Sequence, residues 1–398
     1  MNRPSPALPP EAPVGTDANP SSPRSRDTRV VFERCPDYDD ARVESAVSRA
    51  VEALGGWSAF VRPGARVLVK VNMLSDHPPE DAVTTHPAVV RAVVRGLLAA
   101  DAKPFVGDSP ASAVGVARIW EKTGIKALCE AEGVPLVVFE GEGARTVERD
   151  GCRFTLSAAL SGADAVVSLP KVKTHALTTL TCGVKNLYGL VPGYQKAALH
   201  KRHPRVDDFA RLLRAIEAEV RPVLTIADGI VGMEGEGPSS GTPRPLGFVA
   251  ASPDPYALDI AVAETLGIAV RSVPYLRHLA RDPAYANVTP PNAAEFRPAS
   301  FKVPGTARTR LIPGPLVRLI SPLVWVRPSI DPANCIRCGR CVASCPVKTL
   351  AMGKPTPFLS RPRDCIGCCC CHEMCPEKAI EMRQSPLLRL YGAFRDLR

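Results

Sequence analysis

The chain alternates between short apolar runs and longer helical patterns from residue 28 to residue 300. The apolar runs are nearly continuous, as in RVLVKVNM (66–73), VPLVVFE (134–140) and ADAVVSLPKVKTH (163–175), and polar turns and helical stretches separate them. Strands that are buried on both faces have this pattern, and the helices between them supply the cover. The sequence therefore predicts an α/β domain over 28–300, with a mostly parallel sheet covered by helices.

The segments outside this region differ in composition. Residues 1–27 are rich in Pro and Ser and lack apolar periodicity, which predicts a disordered tail. Residues 301–330 are Pro-rich and apolar and predict a linker, residues 331–384 hold most of the cysteines, and residues 385–398 predict a short basic amphipathic tail. The apolar stretch 311–326 is shorter than the roughly 20 residues of a membrane span and is broken by prolines, so we expect no transmembrane segment. The amphipathic tail leaves peripheral contact with a membrane surface open.

Polar residues stand where the predicted strands of the sheet end. Ligands of open α/β sheets bind outside the carboxyl ends of the strands, so these residues should line one crevice. The loop after residue 175 is rich in Gly, Thr and cationic residues, which suits an anion such as a carboxylate or a phosphate. The candidate substrate-binding residues are Lys70, Asn72, Lys171, Lys173, Lys185 and Asn186, and the candidate catalytic residues are His175, His86 and Asp228. The alternative interpretation is that these polar residues only form turns or cap helices.

Ten of the fourteen cysteines lie between residues 335 and 375. The stretches CIRCGRCVASCP (335–346) and CIGCCCCHEMCP (365–376) share the spacing Cys-x2-Cys-x2-Cys-x3-Cys-Pro. Bacterial ferredoxins bind [4Fe–4S] clusters with this run, and the fourth cysteine of each run ligates the other cluster. Two copies that both end in Cys-Pro favour iron–sulfur clusters over zinc, which is the usual alternative for Cys-x2-Cys pairs. We therefore predict two [4Fe–4S] clusters.

The spacing assigns four cysteines to each cluster and leaves two over. The first cluster takes Cys335, Cys338, Cys341 and Cys375, and the second takes Cys365, Cys368, Cys371 and Cys345. Cys369 and Cys370 fall in a gap of the second run, where ligation alongside their neighbours is difficult. We expect them to be buried packing residues or free thiols, with ligand exchange or a redox role as the alternative.

The net charge of the chain is confined to its last quarter. Residues 301–398 contain 16 Lys and Arg against 6 Asp and Glu, a balance of +10, whereas residues 1–300 contain 34 of each. Because each oxidised cluster with its thiolates carries about two negative charges, this part of the chain would stay positive after loading. A positive module favours an acidic redox partner protein. The basic residues lack aromatic interleaving, so we expect no nucleic-acid binding.

Several motifs of the larger part resemble one family. LVKVNM, TTHPAVV, VGDSP, LPKVKTH, CGVKNLYG and ADGIVGMEGEGP together resemble the domain of unknown function 362 family over about residues 30–300. Residues 331–383 resemble two-cluster bacterial ferredoxins, including CPEKAIEM after the second run. The resemblance implies an α/β domain joined to a small α+β ferredoxin-like domain with a pseudo-two-fold axis and two [4Fe–4S] clusters. It implies an iron–sulfur protein or oxidoreductase, and it supplies no reaction.

These observations predict a reductase that passes electrons through two clusters to a small anionic organic substrate in the crevice. Lys171, Lys173 and Lys185 would hold the anion, and His175 or His86 would donate a proton. A non-catalytic electron carrier or assembly factor for a protein client is one alternative. A non-redox enzyme or ligand-binding domain with structural clusters is the other. Dense cysteine and an N-terminus without a signal-peptide pattern favour a cytoplasmic location.

Overall fold

The computed structural model describes residues 27–110, 115–305 and 325–387. The predicted tail at 1–27 lies outside these ranges apart from its last residue, as do residues 306–324 of the predicted linker and residues 388–398 of the predicted basic tail. Within the described ranges, no helix is both long enough and apolar enough to cross a membrane.

The first eleven strands belong to the α/β domain, which we define as residues 27–305. These strands are β1 (Val31–Arg34), β2 (Arg66–Lys70), β3 (Lys103–Asp108), β4 (Leu136–Val138), β5 (Ala144–Arg149), β6 (Cys152–Ser157), β7 (Ala165–Ser168), β8 (Lys171–His175), β9 (Thr179–Thr181), β10 (Leu224–Glu234) and β11 (Thr242–Ser252). The described residues form a nine-stranded sheet in the order β1-β11-β10-β7-β2-β3-β4, with β8 beside β10 and β9 beside β8. β5 and β6 form a separate hairpin.

The pairing within this sheet is mostly parallel, which confirms the predicted fold class. β10, β7, β2, β3 and β4 pair in parallel, and β8 pairs in parallel with β10. β11 pairs antiparallel with both β1 and β10, and β9 pairs antiparallel with β8. Parallel strands meet at their carboxyl ends on one edge of the sheet, so the polar residues that follow them are brought together there.

Helices cover both faces of the sheet. The helices of this domain are α1 (Asp40–Ala53), α2 (Pro87–Ala99), α3 (Val116–Lys122), α4 (Ile125–Glu132), α5 (Gly183–Asn186), α6 (Gly193–Arg202), α7 (Val206–Val220) and α8 (Pro255–Thr265). Successive strand residues point to opposite faces, so Val67 and Val69 of β2 pack with α1, α2 and α4. Leu68 points to the opposite face of the sheet and packs there in a second hydrophobic core with α7 and α8. The apolar runs are continuous because both faces are buried in this way.

The cysteine-rich module, which we define as residues 326–384, is a small α+β unit. Its elements are β12 (Val326–Ile330), α9 (Arg340–Ser344), β13 (Leu350–Ala351), β14 (Phe358–Leu359), α10 (Cys370–Glu373) and β15 (Ile380–Gln384). β12 pairs antiparallel with β15, and β13 pairs antiparallel with β14. The residues of β12, which the sequence analysis assigned to the linker, are thus part of this module. The boundary lies at residue 326 rather than at residue 331, because the backbone of β12 is paired along its whole length.

Candidate functional site

A cavity of about 510 Å³ lies between the α/β domain and the cysteine-rich module, and we call it the interdomain cavity. Residues at the carboxyl ends of β2 and β3, residues of β8 and β9, and helices α5 and α6 form its wall on one side. The polar residues on that side include Asn72, Lys173, Thr181, Lys185, Asn186 and Lys196. The module closes the other side with residues that include Cys338, Arg340, Cys370 and Glu373. A cavity of this size holds a small organic molecule, and its place at the strand ends is the usual one in open α/β sheets.

Three lysines give the interdomain cavity a cationic wall. Lys173 is 1% exposed and donates a hydrogen bond to the carbonyl oxygen of Val83, and burial together with Lys185 holds its pKa well below the ordinary value. Burial also lowers the pKa of Lys185, against the opposing effect of Glu373. The ammonium of Lys185 has no hydrogen-bond partner in the described part of the chain, and it lies 6.0 Å from the centre of the Tyr188 ring. A bound anion would offset the cost of burying these charges.

Lys196 is the third lysine of this wall. Its ammonium donates hydrogen bonds to the carbonyl oxygens of Ser109 and Pro110, the latter over 3.0 Å. Burial lowers the pKa of Lys196 to about 8, with Asp108 limiting the decrease. An amine with a pKa near neutrality can both hold and release a proton under ordinary conditions.

Two buried polar atoms of the wall lack partners. Asn72 Oδ1 and Thr181 Oγ1 line the interdomain cavity and form no hydrogen bond within the described residues. The amide of Asn186 is held in place, because its Nδ2 donates to Ser168 Oγ over 3.0 Å and to the backbone oxygen of Lys70 over 3.3 Å. Buried polar groups without partners are uncommon, and a ligand in the cavity would satisfy them.

His175 and Glu373 meet across the boundary between domain and module. His175 Nε2 lies 3.0 Å from Glu373 Oε1, although the two atoms are not aligned as a hydrogen bond. The backbone N–H groups of Leu177 and Thr178 donate to His175 Nδ1, so in the neutral ring the proton is on Nε2 and faces the carboxylate. Burial and Lys185 lower the pKa of His175 to about 3. Burial alone would raise the pKa of Glu373, but His175 and Lys185 lower it to about 2.

Lys70 lies behind the wall and not in it. Its ammonium is fully buried, 2.9 Å from Asp108 Oδ1, and it donates to the backbone oxygen of Val71 over 2.7 Å. Asp108 also accepts the backbone N–H of Met73 over 2.6 Å. Gly189 covers this pair, and a side chain at that position would collide with both charged groups. The structure thus differs from the predicted substrate-binding role, because the ammonium of Lys70 is engaged by Asp108 and by the backbone oxygen of Val71.

Lys171 and Asp228 form a second buried pair away from the interdomain cavity. Their charged atoms are 2.8 Å apart, and Tyr38 hydrogen-bonds to both, over 2.7 Å to Lys171 and 2.9 Å to Asp228. His86 stacks on Tyr38 with ring centres 3.6 Å apart, and its backbone N–H donates to Asp228. His86 Nδ1 accepts the N–H of Ala88 as the N-cap of α2, and burial lowers the pKa of His86 to about 4.

This network corrects three of the predicted roles. Lys171 begins β8, Asp228 lies within β10 and His86 caps α2, and the polar atoms of the three residues satisfy one another. A saturated buried network stabilises the fold and leaves few groups for a substrate. Of the predicted residues, the structure brings Asn72, Lys173, Lys185 and Asn186 together at the interdomain cavity, and His175 contacts that cavity through Glu373.

The sequence analysis missed the part of the wall formed by α6. Lys196 and His200 are four residues apart on this helix and both line the interdomain cavity. His200 stacks on Phe209 with ring centres 4.4 Å apart, and burial lowers its pKa to about 4. The spacing of four residues places both side chains on one helix face, which is the signal that would have identified Lys196.

Two smaller cavities lie inside the cysteine-rich module. Cysteines 335, 338, 341 and 375 line one of them, and cysteines 345, 365, 368, 369 and 371 line the other. In the described part of the chain, no three metal-binding side chains converge on one point as a single ion would require, and each set instead surrounds a cavity. Four thiols around one cavity are the donor set of a [4Fe–4S] cluster.

Backbone conformation and hydrogen bonds also fit this cofactor. The backbone N–H of Thr349 donates to Cys345 Sγ over 3.3 Å, and that of Ala379 donates to Cys375 Sγ over 3.2 Å. Such hydrogen bonds stabilise thiolate sulfur. Gly339 and Cys369 occupy the same left-handed position in the two runs, with φ of 74° and 66°. The residues present therefore fit two [4Fe–4S] clusters.

Cys369 and Cys370 have separate surroundings. Cys369 lines the cavity of the second cysteine set, whereas Cys370 lines the interdomain cavity. Cys370 occupies the position equivalent to Arg340 of the first run, which lines the interdomain cavity as well. Of the four consecutive cysteines, Cys368 and Cys371 thus belong to the second set, Cys369 lies beside it, and Cys370 faces the α/β domain.

Comparisons with known proteins find separate matches for the α/β domain and for the cysteine-rich module. A family model described as Domain of unknown function (DUF362) matches residues 67–264, and a model described as 4Fe-4S dicluster domain matches residues 327–376. The thylakoid-associated protein sll1697 of Synechocystis sp. is 39% identical over 268 residues, which cover 66% of this chain and 83% of the relative.

Similar solved structures are more distant. They include a protein of Thermotoga maritima, with 16% identity, a TM-score of 0.36 and coverage of 58% of this chain and 60% of that structure. They also include the lactate racemase apoprotein of Thermoanaerobacterium thermosaccharolyticum, with 15% identity, a TM-score of 0.40 and coverage of 63% of this chain and 60% of that structure. The chain thus spans about 60% of the length of these two solved structures.

Proposed function

The chain belongs to the family of the domain of unknown function DUF362, here joined to a 4Fe-4S dicluster domain, and from this premise we propose that it is a reductase of a small organic anion. The single observation that carries the proposal is the interdomain cavity, where three lysines and the cysteine-bearing loops line the same space. Two [4Fe–4S] clusters would supply electrons one at a time. In this proposal the protein's own residues would bind the anion and deliver a proton.

Binding of the anion is assigned to Lys173 and Lys185. Lys173 is buried and Lys185 is partly buried in this wall, and charge-assisted hydrogen bonds are stronger in such a place than in water. The unpaired oxygens of Asn72 and Thr181 would accept hydrogen bonds from hydroxyl or amide groups of the substrate. Part of the lining is apolar, including Met73 and other residues of both domains, which suits a substrate with a hydrocarbon body.

Proton delivery is assigned to Lys196. Reduction of one C=C or C=O bond consumes two electrons and two protons. The electrons would come in two transfers from a low-potential one-electron donor protein, one proton from Lys196 Nζ and the other from water. The carbonyl oxygens of Ser109 and Pro110 hold this ammonium in the wall, and its pKa of about 8 keeps a proton on it at neutral pH. His86 is replaced in this role because its ring is engaged as a helix cap.

An acidic electron-donor protein is the partner that the module's surface suits. Three large apolar side chains are exposed there, Ile336 at 61%, Met352 at 46% and Phe358 at 51%. Exposed Arg337 and Lys354 stand beside them in the chain. An apolar patch with basic neighbours favours a partner with an acidic rim, so the rate of electron transfer to this chain should fall with ionic strength.

We keep the cytoplasm as the proposed location. The relative from Synechocystis is named for association with thylakoids, so contact with a membrane surface is a second possibility for this chain. Flotation of the purified protein with vesicles of anionic lipid would distinguish the two, since a cytoplasmic protein stays at the bottom of the gradient.

The reductase proposal is tested by reoxidation of the reduced protein. Protein purified without oxygen, with its iron and sulfide counted, is reduced with dithionite and mixed with a panel of 2-oxo acids and α,β-unsaturated carboxylates, and the visible absorbance is followed. We expect one member to reoxidise the protein and to be converted to its two-electron product. Lys185→Met should slow this reaction about tenfold or more, which is the loss expected for one buried charge-assisted hydrogen bond.

Lys103→Met is the matched control, because Lys103 is exposed at the start of β3. It should leave the rate unchanged. Equal rates for Lys185→Met and Lys103→Met would contradict the assignment of the cavity. A protein that exchanges electrons with other redox proteins but with no small anion would instead support the electron-carrier alternative.

A further inference from the structure

The two cysteine runs share their spacing and their left-handed positions, so residues at equivalent positions can be compared directly. Each run has a left-handed residue after its second cysteine, and Lys348 and Lys378 both adopt φ of 53° three residues after the fourth cysteine. The residue that follows each lysine is Thr349 in the first run and Ala379 in the second. These two positions are equivalent in backbone and differ in side chain.

This difference changes the hydrogen bonding of one cysteine sulfur. Cys345 Sγ accepts the backbone N–H of Thr349 over 3.3 Å and lies 3.4 Å from the Thr349 hydroxyl. Cys375 Sγ accepts the backbone N–H of Ala379 over 3.2 Å, and alanine has no hydroxyl to add. Thr349 is 1% exposed, and within the described residues its hydroxyl has no other hydrogen-bond partner. When Cys345 is a thiolate ligand, the hydroxyl must be the donor.

A donor to a ligand sulfur raises the reduction potential of the cluster. Reduction adds a negative charge to the cluster and its thiolates, so a hydrogen-bond donor stabilises the reduced form more than the oxidised form. The effect is larger in a buried place than in water, because the effective dielectric constant is lower. The Thr349 hydroxyl meets both conditions, and the first cluster has no equivalent donor at Ala379.

We infer that Thr349 is a positioning residue that raises the reduction potential of the cluster held by Cys345, Cys365, Cys368 and Cys371. The inference rests on the same two-cluster assignment as the proposed function and is independent of the substrate. The ammonium of Lys185 acts in the same direction, since it lines the same cavity as Cys370 beside this cluster, whereas the carboxylate of Glu373 in that cavity opposes it.

The location of this cluster gives the inference a functional consequence. The loop of the first cluster is the more exposed one, with Ile336 61% exposed and Cys338 exposed as well. The equivalent residues of the second run, Ile366 and Cys368, are less exposed. Cys338 of the first cluster and Cys370 beside the second both line the interdomain cavity, so the difference in potential decides on which of the two clusters a received electron rests.

The experiment is a redox titration of the loaded full-length protein, followed by electron paramagnetic resonance. Thr349→Val removes the hydroxyl at nearly constant volume and should lower the midpoint potential of one cluster while the other stays unchanged. Ala379→Ser adds a hydroxyl at the equivalent position and should raise the potential of the other cluster. Thr356→Val is the control, because Thr356 lies in the turn between β13 and β14 and bonds to no cysteine in the described residues.

Each outcome decides the inference. If Thr349→Val retains its iron and shifts neither cluster, or shifts both equally, the inference is wrong. If Thr349→Val loses iron, Thr349→Ser and Ala379→Ser decide, since the first should keep the original potentials and the second should still shift one of them. Wild-type protein without iron and sulfide would overturn both this inference and the proposed function. Protein that shows the shifts but reduces no small anion would overturn the proposed function alone.

Discussion

Replacing Lys173 by methionine should stabilise the protein and weaken anion binding at the same time. The side chain is 1% exposed, and its ammonium donates to the carbonyl oxygen of Val83 without forming an ion pair in the described part of the chain. Burial and the charge of Lys185 hold the pKa of Lys173 well below its ordinary value of 10.5. Methionine has a similar length and carries no charge, so it fills the space without this cost.

The expected gain follows from the cost of a buried charge. Replacing a buried ion pair by apolar residues of similar volume is often stabilising by about 1–4 kcal/mol, and we expect a gain of the same order for a single buried ammonium without a carboxylate partner, which corresponds to a rise in Tm of roughly 2–8 °C for a domain of this size. Because the folded-state pKa lies below 10.5, the unfolded chain binds a proton that the folded chain has released. The wild-type protein therefore gains stability as pH rises from the folded-state pKa of Lys173 toward 10.5, and Lys173→Met should lack this part of the pH dependence.

The assay is thermal unfolding of the cluster-loaded protein without oxygen, followed by circular dichroism at several pH values. Lys103→Met is again the control, and a surface substitution of this kind should change stability by less than about 0.5 kcal/mol. In the reoxidation assay the same Lys173→Met protein should be slower with the small anion. A variant that is less stable than wild type at every pH would refute the reasoning, because it would mean that the ammonium is paired and contributes to the fold.

Three further predictions concern residues with structural roles. Lys70→Met leaves the carboxylate of Asp108 buried without its partner and should destabilise the protein by about 3–5 kcal/mol, measured as a lower Tm; a loss below about 1 kcal/mol would contradict the pair. His86→Ala should lower stability by about 0.5–2 kcal/mol through loss of the helix cap and leave the reoxidation rate unchanged, and a slower rate would return His86 to the catalytic candidates. Cys369 has a left-handed backbone conformation, which costs about 1–2 kcal/mol in a residue other than glycine, and the equivalent residue of the first run is Gly339. Cys369→Gly should therefore keep its full iron content with an equal or higher Tm. A loss of iron would identify Cys369 as a ligand.

The sequence by itself determined the elements and the chemistry of the cysteines. Continuous apolar runs can be buried only in a sheet that is covered on both faces, and β2 and β7 are such strands. The repeated cysteine spacing predicted sets of four from loop geometry alone, because three ligands of each set lie within seven consecutive residues. The sequence also identified Lys173 and Lys185 as candidates, because lysine is unusual at positions where the residues of a turn are expected.

The tertiary structure decided which polar residues share a space. Lys70, Lys171 and Lys173 look alike in sequence, since all three come at or just after an apolar run. Asp108 and Asp228 pair with the first two, and no carboxylate pairs with the third in the described part of the chain. Which carboxylate meets which lysine depends on strand order and side-chain direction, which local sequence does not encode. The module decided the rest, because its residues form the second wall of the interdomain cavity. Buried charge is governed by distance and dielectric constant, and both are properties of the folded chain.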